Sequence, residues 1–526
     1  MKMPRFATRQ IPAILLLALA AGTASAQGAP PAVPEVSLTV STYRVEGTNP
    51  LTAEQTAAIL QPFLGEHHGI AGIEAAADAL EQALKEAGYS FHRVSVPPQT
   101  PEGGVVALRI VHFTVGEVAV KGNQFFSRDE VLATLPGLTP GESPDMETLG
   151  RALALANEHP AHFYGLTMKE GTAPDTVDAE IRVSDADPDQ GYLSFSNTGN
   201  RQTGESRLTA GYQLGNLWGL DHVVSASYTT SPEKLDQVRQ YGLNYRIPFY
   251  ALGGSLSAFY VNSDVDAGRV ADTFDVNGRG EFMGLSYVHL LDRIGDYSQR
   301  LTVSIEDKLF DNRVTALGTP LGAPPYRTRP LTLRYNGRLD ALWGGLGFYL
   351  EAATNLRGGA HNTEQATVAN RQDAVRRFRI LRYGFDMSVA LAPDWTLTTR
   401  LRGQDSRRAL VQGEQFGIGG ANSVRGLTER EFAGDRGQTL SFELATPKPL
   451  EDLQPIVFVD LGQAKNIVTA VGERGAESVA TIGAGLRWTP QRNLSVKLDA
   501  GHVLYGVTGG TDKYNFRGHL SVVYRF

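Results

Sequence analysis

The chain has 526 residues, no cysteine and a formal net charge of −7. Lack of cysteine excludes a disulfide framework, a thiolate metal site and a cysteine nucleophile, and the acidic balance argues against a nucleic-acid binder. Glycine at 57, tyrosine at 19 and phenylalanine at 22 fit a β-rich chain with many turns better than a helical enzyme.

Residues 1–26 read as a secretory signal. Lys2, Arg5 and Arg9 form a basic start, "IPAILLLALAA" is the apolar run, and Ala24 to Ala26 give a small-residue cleavage site. The run is about half of the ~20 residues needed to span a bilayer as a helix. Removing this segment lowers the remaining charge from −7 to −10. Beyond it no continuous apolar stretch predicts a transmembrane helix. A membrane β-barrel stays open, because its signal is alternation.

Residues 27–36, "QGAPPAVPEV", form a Pro/Ala linker. The order β-α-α-β-β is then expected over residues 37–112. "SLTVSTYRVEG" is the first strand, and a helix runs from Thr52 to Phe63. A second helix places Ile73, Ala77, Leu80, Leu84 and Ala87 on one face, closed by Gly88. "YSFHRVSV" and "VVALRIVH" complete the unit. The same order repeats over residues 113–186. There Ser127 and Glu130 fit a capping box, and Met146, Leu149, Leu153 and Ala156 mark a helical face. The last strand alternates Val177, Ala179, Ile181 and Val183 with polar neighbours.

From residue 187 to Phe526 the period becomes two. In "LTLRYNGR", Leu331, Leu333 and Tyr335 oppose Thr332, Arg334, Asn336 and Arg338; in "LSVKLDA", Leu494, Val496 and Leu498 oppose Ser495, Lys497 and Asp499. A face carrying charges of both signs cannot be a dry core. With an export signal ahead of it, the apolar face is expected to meet lipid around a wet lumen. Sixteen strands can be placed, starting near residues 190–199 and ending at 516–526, with short connections ("IPFY", "LDRIGD", "TPQR") alternating with long ones. An even number with short periplasmic turns and long outer loops is expected of a closed antiparallel barrel. The chain ends "HLSVVYRF", and its alternating aromatic terminus, with Tyr524 and Phe526, resembles the sorting signal of bacterial outer-membrane barrels.

The longest connection, 406–436, is the sixth outer loop and contains "GIGGANSVRGLTERE", with no helix or strand pattern close about it. "SVRGLTERE", "FGIGG" before it and "GDRG" after it resemble the Val-Arg-Gly-aromatic motif of two-partner secretion outer-membrane transporters. The two β-α-α-β-β units resemble polypeptide-transport-associated (POTRA) domains, so the resemblance runs from about residue 38 to the C-terminus. It implies two α+β POTRA-like periplasmic modules followed by a 16-stranded antiparallel transmembrane β-barrel in the outer membrane. It also implies that the loop folds back into the barrel, where Arg425 pairs with the inward-facing acid of "IVFVDLG", Asp460. Val424, Arg425, Gly426 and Leu427 form the tip, and Glu443 of "LSFELATP" shares the inward parity. Two departures stand out: Leu427 occupies the aromatic position, and "QGAPPAVPEV" is too short and Pro-rich to form the plug helix of some relatives.

The expected function is secretion of an unfolded client, caught by strand addition at a module sheet edge and conducted through the barrel without nucleotide hydrolysis. The implied partners are that client, outer-membrane lipid and the barrel-assembly machinery, with no nucleic acid. The alternatives are an insertase for other barrels, a passive porin, or a surface enzyme. Enzyme signals are thin: "HH" at 67–68 and "HPAH" at 159–162 show neither a metal-ligand helix pattern nor partners and read as surface or packing histidines, "DADPDQG" at 185–191 lacks the glycine and glutamate of a calcium loop, and no Gly-x-Ser-x-Gly elbow occurs. No catalytic residue, cofactor or metal is expected.

Overall fold

The computed structural model describes residues 37–200, 203–264, 268–270, 274–276, 279–311, 314–316, 319–469, 474–508 and 510–526. The signal and linker assigned to residues 1–36, and with them the expectation of no plug helix, lie outside these residues. The described residues fall into two units, 37–111 and 112–526.

The first unit is the first module. Thr52 caps the helix Ala53–Leu60 through a capping box with Gln55, because both the Thr52 hydroxyl and the Gln55 amide satisfy end groups of the backbone. The second helix, Ala71–Glu86, buries Ile73, Ala77, Leu80 and Leu84 against Val106, Leu108 and Ile110 of the central strand. Ala87 caps the helix and is exposed. The first expected strand is broken at Ser41 into Ser37–Val40 and Thr42–Glu46. Ser41 turns there onto the carbonyl oxygens of Gly103 and Gly104. An additional strand, Gly65–His68, lies between the helices and pairs with Ser37–Val40. The three-stranded sheet runs Thr42–Glu46, Val105–His112, His92–Ser95, its first pair parallel.

The second unit starts with the repeat of that design. Ser127 and Glu130 form the expected capping box on Arg128–Ala133, and Asp145 caps Met146–Ala156. Leu149 and Ala156 are buried, but Met146, expected on the same face, is 43% exposed because it begins the helix outside the core. The sheet runs Thr114–Lys121, Thr176–Asp185, His162–Glu170. Asp185, read as the start of a failed calcium loop, accepts hydrogen bonds from the backbone N–H groups of Gln124, Phe125 and Phe126. Burial pushes its pKa upward, and those donors outweigh it and hold the carboxyl below its ordinary value.

The remainder is a closed antiparallel barrel of sixteen strands, from Gln190–Ser196 to Phe516–Arg525. The eighth strand is interrupted at Arg329, into Tyr326–Thr328 and Pro330–Ala341. Closure pairs Tyr192–Ser196 with Ser521–Arg525 and extends to a reciprocal Gly191–Phe526 backbone pair at 2.8 and 2.9 Å. The parity follows the charges: Leu331 and Leu333 are 38% and 50% exposed, while Thr332 between them is 7% exposed. The former point outward and the latter into the lumen. All four tryptophans sit at the short-turn end: Trp218 and Trp343 in turns, Trp395 and Trp488 at strand ends. Indoles prefer the headgroup level, so they mark the periplasmic interface of the wall.

The sixth loop is not without regular structure. A short hairpin pairs Phe416–Ile418 with Phe432–Gly434, preceded by a 3₁₀ turn at Gln412–Glu414. Glycine-rich composition hides such three-residue strands from any periodicity test.

Candidate functional site: a loop latched inside the barrel

Arg425 is 5% exposed and uses its whole guanidinium. Its Nε donates to Asp460 Oδ2 at 2.8 Å and Nη2 to Asp460 Oδ1 at 2.9 Å, a bidentate fork. Nη1 donates to Glu443 Oε2 at 2.6 Å, and the backbone N–H of Arg425 donates to Asp460 Oδ2 at 3.0 Å. Ser441 Oγ donates to Asp460 Oδ1 at 2.6 Å and fixes that carboxylate from its own side.

The strand Leu453–Lys465 explains why the acid sits there. Its inward positions read Phe458, Asp460, Gly462. The Phe458 ring lies under the guanidinium, 3.5 Å from Cζ to the centroid, an attractive cation–π geometry. Asp460 takes the fork. Gly462 leaves room for Val424, whose Cγ2 stands 2.8 Å from where a Cβ would project. Two strands further on, Gly501 does the same for Gly426 (φ +95°), whose N–H donates to His519 Nε2 at 2.9 Å.

Leu427, at the aromatic position of the motif, is fully buried with Ile418, Val424, Phe432, Ala464, Val479, Val503 and Val507. The aliphatic side chain therefore packs the tip onto the wall. Every expected tip residue converges on this place, as do Asp460 and Glu443. Asp499 (Oδ1 3.7 Å from Arg425 Nη1), Arg487 (Nη1 2.8 Å from Asp499), Ser441, Phe458 and His519 were not expected. Inward parity was the available signal for them, but it marks every second residue of each strand and so does not single them out. Tyr524 and Phe526 stand apart from this site, 42% and 66% exposed on the outer face beside the closing seam.

The "HPAH" histidines do have a partner. His159 and His162 are buried and stack at 4.3 Å between centroids, 7° between planes. Both face Asp221 of the first periplasmic turn: His162 Nε2 lies 3.0 Å and His159 Nε2 3.5 Å from its Oδ1. Three ligand atoms thus fall within 4.8 Å of one another. A metal ion must lie close to the plane of each imidazole that binds it, and parallel planes this far apart share no such point. His159 is also fully engaged, accepting from Ala161 N–H at Nδ1 and donating from Nε2 to Gly215 O at 2.5 Å. The cluster is a hydrogen-bonded joint between the second module and the barrel, completed by Tyr250, which donates to Asp221. His67, of the other histidine pair, bonds the Phe63 carbonyl in the first module.

Two α+β modules ahead of a sixteen-stranded barrel, with an arginine-bearing loop bound inside the lumen, define an outer-membrane transporter with periplasmic domains. The chain belongs to the haemolysin secretion/activation protein family ShlB/FhaC/HecB, whose model matches residues 176–488, and the ShlB-type POTRA model matches residues 38–112. Among curated relatives, the heme/hemopexin transporter protein HuxB of Haemophilus influenzae is 20% identical over 477 residues, covering 89% of this chain and 83% of HuxB. The outer membrane transporter CdiB of Dickeya dadantii is 22% identical over 358 residues, 66% of this chain and 62% of its own. CdiB from Escherichia coli has the same fold, with a TM-score of 0.74 at 17% identity over 95% of this chain and 93% of that one. BamA from Haemophilus ducreyi, without its first three POTRA domains, matches with a TM-score of 0.50 at 14% identity, over 93% of this chain and all of that one.

Proposed function

We propose that the chain captures an extended client at the sheet edges of its periplasmic modules and conducts it through the barrel, with the Arg425 loop as a latch that yields during passage. The observation carrying this reading is the buried fork of Arg425 on Asp460 in a polar lumen. Edge strands Thr42–Glu46 and His92–Ser95, and Thr114–Lys121 and His162–Glu170, offer main-chain groups that bind any sequence in extended form. Client folding outside makes return unfavourable, so no nucleotide is required and no catalytic residue is assigned. Residues 1–26 direct export, 27–36 link, 37–112 and 113–186 are the modules, and 187–526 the barrel. Tyr524 and Phe526 carry the sorting signal read by the barrel-assembly machinery. The relatives named as transporters favour secretion over barrel insertion, and the closing seam is hydrogen-bonded through Phe526.

The direct test is deletion of residues 37–111, leaving the second unit intact. Co-expressed with an exoprotein whose secretion depends on the intact chain, the deleted chain should fail to export it while the barrel still folds and migrates as a compact, heat-modifiable band. Undiminished secretion would refute capture by the first module.

A further inference from the structure

The loop carries a second charge anchor, opposite in sign to Arg425 and on a different arc of the wall. Glu414, in the 3₁₀ turn before the hairpin, is 2% exposed. Its carboxylate accepts from Thr328 Oγ1 at 2.9 Å and Arg382 Nη2 at 3.2 Å, with Lys308 Nζ 3.6 Å away. Its backbone carbonyl accepts from Gln404 Nε2 at 2.9 Å, and the preceding Gly413 N–H donates to Tyr326 OH at 3.1 Å.

The local charge balance shows what the seat is built for. Around it the seventh to tenth strands supply three cations, Lys308, Arg334 and Arg382, and two carboxylates, Glu306 and Glu351. Glu414 is the third carboxylate. Around the tip the twelfth to fifteenth strands supply three carboxylates, Glu443, Asp460 and Asp499, and one cation, Arg487. Arg425 is the second cation. The seat of Glu414 is one carboxylate short of its cations without the loop, and the seat of the tip is two cations short of its carboxylates. An uncompensated buried charge is costly, so each end of the loop is held where its charge is missing.

The root is fixed further by Asp435, which is fully buried at the return leg. It pairs with Arg371 of the preceding loop and accepts from the N–H groups of Leu410 at 2.8 Å and Ile467 at 2.7 Å. Between root and tip stand Gly419 and Gly420, at φ +108° and +105°, and on the return leg Arg430, at φ +48°. Arg430 N–H donates to Gly419 O at 3.3 Å, so the two left-handed points lie side by side across the loop. Backbone in this region turns easily at glycine, which makes the pair a natural pivot.

We propose that Glu414 is a positioning residue for transport: seated among Lys308, Arg382 and Thr328, it holds the loop's root stationary while the segment from Gly419 to Arg430 swings away from Asp460. This rests on the latch reading above and assigns the part of the loop that moves.

The chain has no cysteine, so engineered pairs report cleanly. Val424→Cys with Gly462→Cys tethers the tip, where Val424 Cγ2 lies 2.8 Å from the position of a Gly462 Cβ. Ile418→Cys with Gly462→Cys, in a Val424→Ala chain that leaves the new side chain room, tethers the root just before the pivot, where Ile418 Cβ lies 3.7 Å from the position of a Gly462 Cβ, within disulfide reach. Potassium chloride current through the purified full chain in planar bilayers is the readout. It needs no client, so failure of secretion and failure of this proposal are separable. Oxidised, the tip tether should silence openings until reductant is added, and the root tether should leave them unchanged. A root tether that silences the channel as fully as the tip tether would overturn the proposal. In a second comparison, Glu414→Gln added to Arg425→Ala should raise the open conductance about twofold over Arg425→Ala alone, as the root also leaves. Equal conductance in folded, heat-modifiable protein would remove Glu414 from this role. An Arg425→Ala chain that never opens would end the moving-tip premise itself.

Discussion

Arg425 directs all three of its guanidinium nitrogens at wall groups, which no lysine can reproduce. The fork needs two parallel N–H donors, and an ammonium presents one point charge. Arg425→Lys is therefore expected to behave nearly as Arg425→Ala, with frequent channel openings, despite the conserved charge. A lysine variant as quiet as the parent would show that charge alone holds the tip. Removing one member of a buried pair strands the other, at about 3–5 kcal/mol. Arg425→Ala and Asp460→Ala should therefore each cause most of the loss seen in the double variant. In a double-mutant cycle on loop protection from protease, the coupling is expected at roughly 1.5–3 kcal/mol. Effects that simply add would mean the two side chains act apart.

At the scale of elements, the latch is a matter of close backbone approach as much as charge. A Cβ at Gly501 would stand 2.7 Å from Gly426 N and 2.8 Å from its Cα. Backbone cannot step aside as a flexible side chain can, so Gly501→Ala should lift the tip with every charge retained. Channel opening should rise well above the parent, while Gly518→Ala, whose Cβ would meet Asp499 O at an ordinary 4.0 Å, should leave it unchanged. Equal behaviour of the two variants would show that the fork tolerates displacement of the tip. The strand carrying Asp460 was legible in advance because period two fixes which residues face inward. The short hairpin of the loop was not, since three-residue strands among glycines carry no period. The extra strand of the first module escaped for a similar reason: "GEHH" is short and polar, and only its partner Ser37–Val40 makes it a strand.

At the scale of the molecule, the second module meets the barrel through polar groups that titrate. Glu130, capping its helix, accepts from Asn216 at 2.9 Å, and Glu158 contacts Arg246 at 2.9 Å and Arg300 at 3.0 Å. His159, His162, Asp221 and Tyr250 form the buried centre of the joint. Burial first, then the neighbouring His162 and Arg246, hold the His159 pKa below its ordinary value against the pull of Asp221. A proton on Nδ1 would also break its bond from Ala161 N–H. The docked joint prefers neutral His159, so its contribution is complete above the ordinary histidine value of about 6.5 and is lost as pH falls below that toward the depressed value. Asp221 is held below its ordinary value too: burial raises it, and the His162 hydrogen bond and both histidines outweigh that, so its window lies at far more acid pH. Protease cleavage at residues 186–189 should therefore accelerate between pH 7 and pH 5, and His159→Gln should flatten that response. An unchanged rate across this range, or a full response in the glutamine variant, would locate the pH sensitivity elsewhere.

The sequence by itself determined the two-module and sixteen-strand plan, the inward parity of Asp460 and Glu443, and the family. Periodicity and the loop motif are local properties of the chain, and they survive without knowledge of what lies across the lumen. Only the tertiary structure decided that Leu427 packs into an aliphatic cluster, that the "HPAH" histidines stack against Asp221, and that Glu414 seats among Lys308, Thr328 and Arg382. Those groups lie tens to hundreds of residues apart in the chain. The lumenal pairings follow from closing the barrel, which fixes which inward side chains face the same loop, and the histidine cluster follows from seating the second module on the first periplasmic turn.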